Sequence, residues 1–145
     1  VIPIEDNRPR RTVDLTTEEA WKLLGAATFG RVVYTQHALP AIRPVNHLVD
    51  DGMIIIRNRL SSRFTTSVYE SETVVAFEAD SIDPIRHTGW AVIVTGIARP
   101  VEDPDHCLRY GRQLQPWVDK ATDTLIAIEP TIVTGIRLLD ETHPS

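Results

Sequence analysis

The spacing of apolar residues changes period along the chain, and each change marks an element. After Leu15 the apolar positions Ala20, Trp21, Leu24 and Ala27 recur at helical spacing, and Gly30 closes the segment. Thr16 and Glu19 stand as a capping box and Leu15 is placed to staple onto Ala20, so a helix starts here, with Trp21 on its core face. From Arg31 the residues become β-branched and aromatic. Arg31 to Thr35 and Ala41 to Val49 read as strands, joined by a loop over Gln36-His37-Ala38-Leu39-Pro40. Asp50-Asp51-Gly52 is a tight-turn signal and Met53 to Arg57 a third strand, giving an antiparallel meander.

Leu60 to Glu70 reads as a short helix entered through Ser61 and Ser62, followed by a strand from Thr73 to Ala79 and a polar loop from Ser81 to Thr88. Gly89-Trp90 opens a long alternating strand, Ala91 to Arg99, in which Gly96 marks a bulge or a barrel corner. Asp103 and Pro104 cap a helix carrying Leu108, Tyr110 and Leu114, and Pro116 stops it. Leu125 to Glu129 and Thr131 to Leu139 read as two last strands separated by Pro130. Six or seven strands with two or three short helices, mostly adjacent in sequence, predict a mainly β fold: an antiparallel barrel or sandwich decorated by helices. Neither a Gly-x-Gly-x-x-Gly turn nor a Walker-type loop occurs, which disfavours the common nucleotide-binding α/β folds.

Composition narrows the class without changing the fold. A chain of 145 residues fits one domain able to build its own core, here residues 15–140, between a flexible basic arm over 1–14 and a frayed tail over 141–145. The apolar runs Met53 to Ile56 and Trp90 to Val94 are far shorter than the roughly 20 residues a bilayer requires. The polar, arginine-containing start lacks the apolar stretch of a secretory signal, so a cytoplasmic protein is expected. A net charge of -5 argues against nucleic acid as a partner, because neutralising phosphates takes a basic surface. The exception is the arm itself, with Arg8, Arg10 and Arg11. The single Cys107 forms neither an internal disulfide nor a zinc site, and reads as a small buried hydrophobe; no metal is expected.

Two segments break the strand logic chemically. In Arg43-Pro44-Val45-Asn46-His47 a proline removes one backbone donor and two polar residues interrupt the alternation. The segment is either an edge strand blunted against aggregation or the bed of a planar heterocycle with a hydrogen-bonding edge. In Arg57-Asn58-Arg59-Leu60-Ser61-Ser62-Arg63, guanidinium groups and hydroxyls gather where a strand gives way to a helix, a donor set for a dianionic phosphate. The alternative is that a serine caps the helix and the arginines are solvated.

The order of the first helix, Gly30-Arg31-Val32, Arg43-Pro44-Val45-Asn46-His47, Asp51-Gly52, Arg57, Ser62-Arg63, Phe77-Glu78, Gly89-Trp90 and Thr134-Gly135 resembles the pyridoxamine 5′-phosphate oxidase-like family of flavin-binding split barrels. The likeness runs from Thr16 to Leu139 and is greatest to its small flavin and deazaflavin oxidoreductases; nitroimidazole-resistance-type proteins are also similar. The resemblance implies a six-stranded split barrel that forms a homodimer, with a flavin in each interface cleft. It implies that Arg43, Pro44, Val45, Asn46 and His47 lie along the isoalloxazine and that Arg57, Asn58, Ser62 and Arg63 hold the phosphate. Arg63 replaces the family's usual lysine and keeps its charge. Trp90 corresponds to the tryptophan near the cofactor, and Trp117 and Arg137 to positions that approach the ring from the partner subunit; aromatic core or interface is the other reading of both tryptophans. The carboxy-terminal Arg-x-His element of true pyridoxamine-phosphate oxidases is missing, since the end reads Arg137-Leu138-Leu139-Asp140.

The function implied is an oxidoreductase passing hydride or electrons between a flavin and a small unsaturated or aromatic substrate, with FMN as cofactor. The alternative cofactor is the deazaflavin coenzyme (F-420), whose anionic oligoglutamate tail would give the arginine arm a role. A third reading is a non-catalytic flavin or haem carrier. His47 is the one candidate proton donor, its ordinary pKa lying near neutrality, against the alternative that it only hydrogen-bonds in the cleft.

Overall fold

The computed structural model describes residues 10–58, 62–114 and 124–140. Seven antiparallel strands and three short helices follow in the order β1 (Arg10–Asp14), α1 (Thr17–Ala26), β2 (Phe29–Gln36), β3 (Leu39–Asp50), β4 (Met53–Asn58), α2 (Ser62–Glu70), β5 (Thr73–Ile82), β6 (Gly89–Pro100), α3 (Pro104–Gln113) and β7 (Thr124–Asp140). Hydrogen bonding runs β1-β7-β4-β3-β2-β5-β6, and β6 pairs again with β7. Six strands therefore close into a barrel, and β1 adds to the far end of β7. Closure leaves few open edges, which is how a small antiparallel sheet avoids pairing with other chains.

Local chemistry accounts for the helix ends. The Thr16 side chain accepts from the Glu19 backbone N–H while the Glu19 carboxylate accepts from the Thr16 N–H, each at 3.1 Å. Asp103 accepts from the N–H groups of Asp105 and His106, and Pro104 opens α3. Asp51 and Gly52, with φ of 51° and 70°, make the two-residue turn between β3 and β4.

Inside the barrel Val32, Val45, Ile54, Ile56, Phe77 and Val92 alternate with outward residues, and α1 plugs one opening with Ala20 and Leu24. Trp21 is half-buried against this core, as its position in the helix predicts. A second, smaller cluster forms outside the barrel, where α3 lays Tyr110 and Leu114 on Ile55 and Ala127. Cys107 is half-buried at the edge of α3, its thiol donating to the Val101 carbonyl at 3.2 Å.

Three expectations are corrected. The loop over Gln36 to Pro40 is a two-residue turn at His37-Ala38, both in the left-handed region at φ 53° and 62°, so β3 begins at Leu39. The last two strands are one, because Pro130 stands opposite Gly96 at a register shift where the ladder is already interrupted. A Cβ on Gly96 would come within 2.2 Å of the Glu129 carbonyl oxygen, which is why the bulge requires glycine. The basic arm, expected to be flexible, is strand over Arg10–Asp14, held by β7 in register Arg10↔Asp140 to Asp14↔Ile136. Arg8 and the tail over 141–145 lie outside the described residues.

Candidate functional site

The site begins with an offset between β3 and β4. β3 pairs with β2 from Leu39 to Asn46, but β4 pairs with β3 only from Asn46 to Asp50. The stretch before Asn46 is therefore covered by β2 on one side and passes beyond the paired part of β4 on the other. Pro44, which has no N–H to contribute, falls there. The chain then leaves β4 at Asn58 and re-enters the description at α2 from Ser62. Asn46 and Arg57 are register partners on the outer face, and Phe29 and Arg31 of β2 stand opposite Asn46 and Pro44.

Alternation separates the predicted cofactor residues. Arg43 and Pro44 are exposed and Asn46 is half-buried, while Val45 and His47 are turned into the barrel. Val45 is fully buried, so only its backbone is available to a ligand. His47 is buried as well; its Nε2 donates to the Leu24 carbonyl of α1 at 2.8 Å and its ring packs on Phe77 with centroids 4.8 Å apart. Its Nδ1 is buried without a partner among the described residues. Burial is the larger influence and pushes the imidazole below its ordinary pKa, so it is neutral at physiological pH. The expectation of a cleft proton donor at His47 is thus corrected. The alternation of Val45, His47 and Val49 carried this signal in the sequence.

Arg57 Nη1 donates to the carbonyls of Gly111 and Leu114, at 3.1 and 3.0 Å, at the end of α3. A cation at a helix carboxy-terminus is stabilising, so part of its role is to anchor α3. Arg63, exposed in the first turn of α2, donates to Nδ1 of His37 at 2.8 Å and so joins α2 to the β2–β3 turn. Asn58 and Ser62 have described backbone at the end of β4 and the start of α2; their side chains, and Trp117 altogether, lie outside the described residues. Arg137 is half-buried on β7, opposite Trp90 on one side and Val13 on the other. Asn46 and Arg57 are therefore neighbours at the β3–β4 offset, with Arg43 and Pro44 on the stretch of β3 beyond it, while the Arg63 guanidinium is held at the β2–β3 turn and Trp90 pairs with Arg137 across β6 and β7.

Trp90 lines a cleft of about 400 Å³ that sequence reasoning missed. Leu23, Ala26 and Ala27, at the end of α1, line it together with Phe29, Arg31, Asp80 and Trp90. Arg31 Nη1 donates to Glu78 at 3.0 Å and to Asp80 at 3.3 Å. Burial first, and then the adjacent Asp80, hold the Glu78 carboxyl above its usual range despite Arg31. No helix among the described residues is long and apolar enough to cross a membrane.

A barrel of six antiparallel strands, split by the β3–β4 offset and decorated by three helices, is the architecture of flavin-type split barrels. A profile described as pyridoxamine 5′-phosphate oxidase matches residues 16–137, and the chain belongs to that family. Among its relatives, the uncharacterized Mycobacterium tuberculosis protein Rv0080 is 53% identical over 137 residues, covering 92% of this chain and 90% of that one. A Corynebacterium glutamicum structure, described as a candidate pyridoxamine 5′-phosphate oxidase, superposes with a TM-score of 0.70 at 29% identity, over 89% of this chain and 94% of that one. The FAD-binding protein of Mycobacterium smegmatis superposes with a TM-score of 0.64, also at 29% identity, over 88% and 98%.

Proposed function

We propose that this chain is a flavin-binding oxidoreductase acting on a small unsaturated or aromatic substrate, with FMN as cofactor and a second copy of the chain completing each cleft. The observation that carries the reading is the β3–β4 offset: it leaves Pro44 and Asn46 at the rim of the barrel, with Arg57 as the register partner of Asn46 and Arg63 at the start of α2. That donor set fits a flavin phosphate. Arg63 and the amino-terminal N–H groups of α2 attract the dianion, while Arg57 divides its charge between the site and α3. The β3 backbone and Asn46 suit the hydrogen-bonding edge of the ring. A bound flavin would supply hydride or electron transfer. The chain's own residues bind, orient and screen from water, with His47 bracing β3 from inside rather than moving a proton. That the Mycobacterium smegmatis relative is an FAD-binding protein supports the cofactor class.

The homodimer reading draws on apolar side chains on the outer face of β6 and β7, where Ile93, Ile132 and Ile136 are neighbours across the two strands and are 46%, 56% and 37% exposed. The arm favours the deazaflavin coenzyme as a second reading, because β1 fixes the exposed Arg11 on the barrel edge, where an anionic tail would find it. The test is a titration of apo-protein with FMN, riboflavin and the deazaflavin coenzyme, followed by fluorescence. FMN should bind more tightly than riboflavin, and Arg63→Ala should erase about tenfold of that difference. Equal binding of FMN and riboflavin would remove the phosphate assignment, and binding of neither would remove the cofactor. Tighter deazaflavin binding, weakened by Arg11→Ser, would select the second reading.

A further inference from the structure

We propose that His37 is a positioning residue for the phosphate end of the site: its neutral imidazole holds the Arg63 guanidinium in place, so that affinity for the phosphate depends on His37 staying unprotonated. The role presupposes the phosphate-binding Arg63 put forward under Proposed function. Arg63 Nη1 lies 2.8 Å from Nδ1 of His37. A guanidinium can only donate, so Nδ1 is the acceptor and the ring proton sits on Nε2. Both ends of this contact are anchored. Phe64, next to Arg63 in the first turn of α2, is buried and packs on the buried Tyr34 near the end of β2, with ring centroids 4.4 Å apart. His37 stands three residues further on, in a two-residue turn at φ 53°, a backbone that asparagine or glycine takes more readily.

An exposed arginine otherwise samples many rotamers, and a phosphate that binds it must first order the side chain. The bond to His37 takes up Nη1 and orders the chain in advance, while the guanidinium keeps further N–H groups to turn towards phosphate oxygens. Protonation removes the lone pair of Nδ1 and sets a second cation beside Arg63, so the hold is lost. The charged groups on the elements around the turn have other partners or lie away from it. Arg63 is the sole charge in α2 before Glu70 at its far end. Glu72, which leads into β5 beside β2, is paired with Arg99. On β2 Arg31 is paired with Glu78 and Asp80, and on β3 Arg43 donates to the Ile42 carbonyl. The turn neighbours Gln36, Ala38, Leu39 and Pro40 are uncharged.

The experiment is titration of apo-protein with FMN and with riboflavin at pH ~8 and pH ~5.5, across the range in which imidazoles ordinarily titrate, read as the ratio of the two affinities. His37→Gly, which suits the left-handed turn, should lower the FMN preference about threefold at the higher pH, a part of what Arg63 itself contributes. His37→Asn, whose Oδ1 stands where Nδ1 was and does not titrate, should restore it. At the lower pH the wild type should fall to the level of His37→Gly and leave His37→Asn about threefold ahead of both; protonation of the phosphate itself is common to all three and cancels. In an Arg63→Ala background His37→Gly should change nothing. An FMN preference that His37→Gly leaves intact overturns this role alone, and so does a further loss in the Arg63→Ala background. A wild type that gains on His37→Asn as pH falls would make His37 a phosphate ligand in its own right, which also overturns it. Equal binding of FMN and riboflavin by the wild type would remove the Arg63 assignment and this role together. Should a variant not fold, the nitrogen NMR shifts of the wild-type His37 ring at pH ~8 still decide: a proton on Nε2 is expected, and one on Nδ1 overturns the proposal.

Discussion

Acid should destabilise this protein through His47 well before its carboxylates protonate. The imidazole is buried on the inner face of β3, donating from Nε2 to the Leu24 carbonyl and packed against Phe77, and burial holds its folded pKa below the ordinary value of 6.5. Below that value the unfolded chain takes up a proton at this position that the folded chain refuses. Stability is therefore full above the unfolded pKa and falls as pH drops through 6.5 towards the folded pKa. One proton limits the slope to about 1.4 kcal/mol per pH unit, so the loss between pH ~6.5 and ~5 is at most about 2 kcal/mol. For a domain of this size that is a fall of roughly 4–8 °C in Tm. The assay is urea unfolding at fixed protein concentration and stepped pH for the wild type and His47→Gln, whose amide can still reach the Leu24 carbonyl but does not titrate. His47→Gln should start less stable, through lost packing on Phe77, yet lose less as pH falls. Parallel curves over this window would show that His47 takes up no differential proton, and the assignment of a neutral core histidine would be wrong.

Gly30→Ala should cost about 3 kcal/mol, since the new methyl would lie 2.4 Å from Cζ of Phe77 and 2.5 Å from the Glu78 carbonyl oxygen; an unchanged Tm would contradict the close approach of β2 and β5. Thr16→Ala removes one half of the reciprocal cap and should cost about 1 kcal/mol in urea unfolding, with a loss of helical signal if α1 frays. Arg57→Met removes two charge-assisted bonds to the end of α3 and should cost about 2 kcal/mol, accompanied by faster amide exchange in α3; unchanged exchange would mean that Tyr110 and Leu114 hold the helix alone.

What was legible in the sequence was what short-range chemistry specifies. The Thr16 and Asp103 caps, the Asp51-Gly52 turn and the helical spacing of Ala20 and Leu24 each act within a few residues. The features missed depend on a distant partner. His37-Ala38 adopts a paired left-handed turn without the glycine or asparagine that announces one, and Leu39 to Val45 can extend only because β2 runs alongside. Pro130 reads as a strand breaker until Gly96 of β6 is found opposite, where a missing N–H costs the ladder nothing. β1 could not be foreseen at all, since its pairing with the end of β7 spans most of the chain and Arg10 to Asp14 is too polar to advertise it. The cleft beside Trp90 draws on α1, β2, β5 and β6, and no window of sequence contains it.

Two of the polar residues expected at the cofactor also tie the strands of the site to helix ends. A barrel strand loses half its hydrogen-bonded support where β4 ceases to pair with it, and β3 does so next to Asn46. His47 ties the inner face of this region to the Leu24 carbonyl in the last turn of α1. Arg57, the register partner of Asn46, ties the outer face to the Gly111 and Leu114 carbonyls that end α3. Both take a carbonyl that helix geometry leaves without an internal partner, so each contact satisfies a helix end and stiffens the strand at once. Bracing from both faces is what a weakly paired strand needs in order to hold a planar ligand in one position. On the proposed reading it also divides the labour: Arg43, Pro44, Asn46 and Arg63 would meet the ligand, Arg57 would serve both the ligand and α3, and His47, inside the barrel, serves the fold.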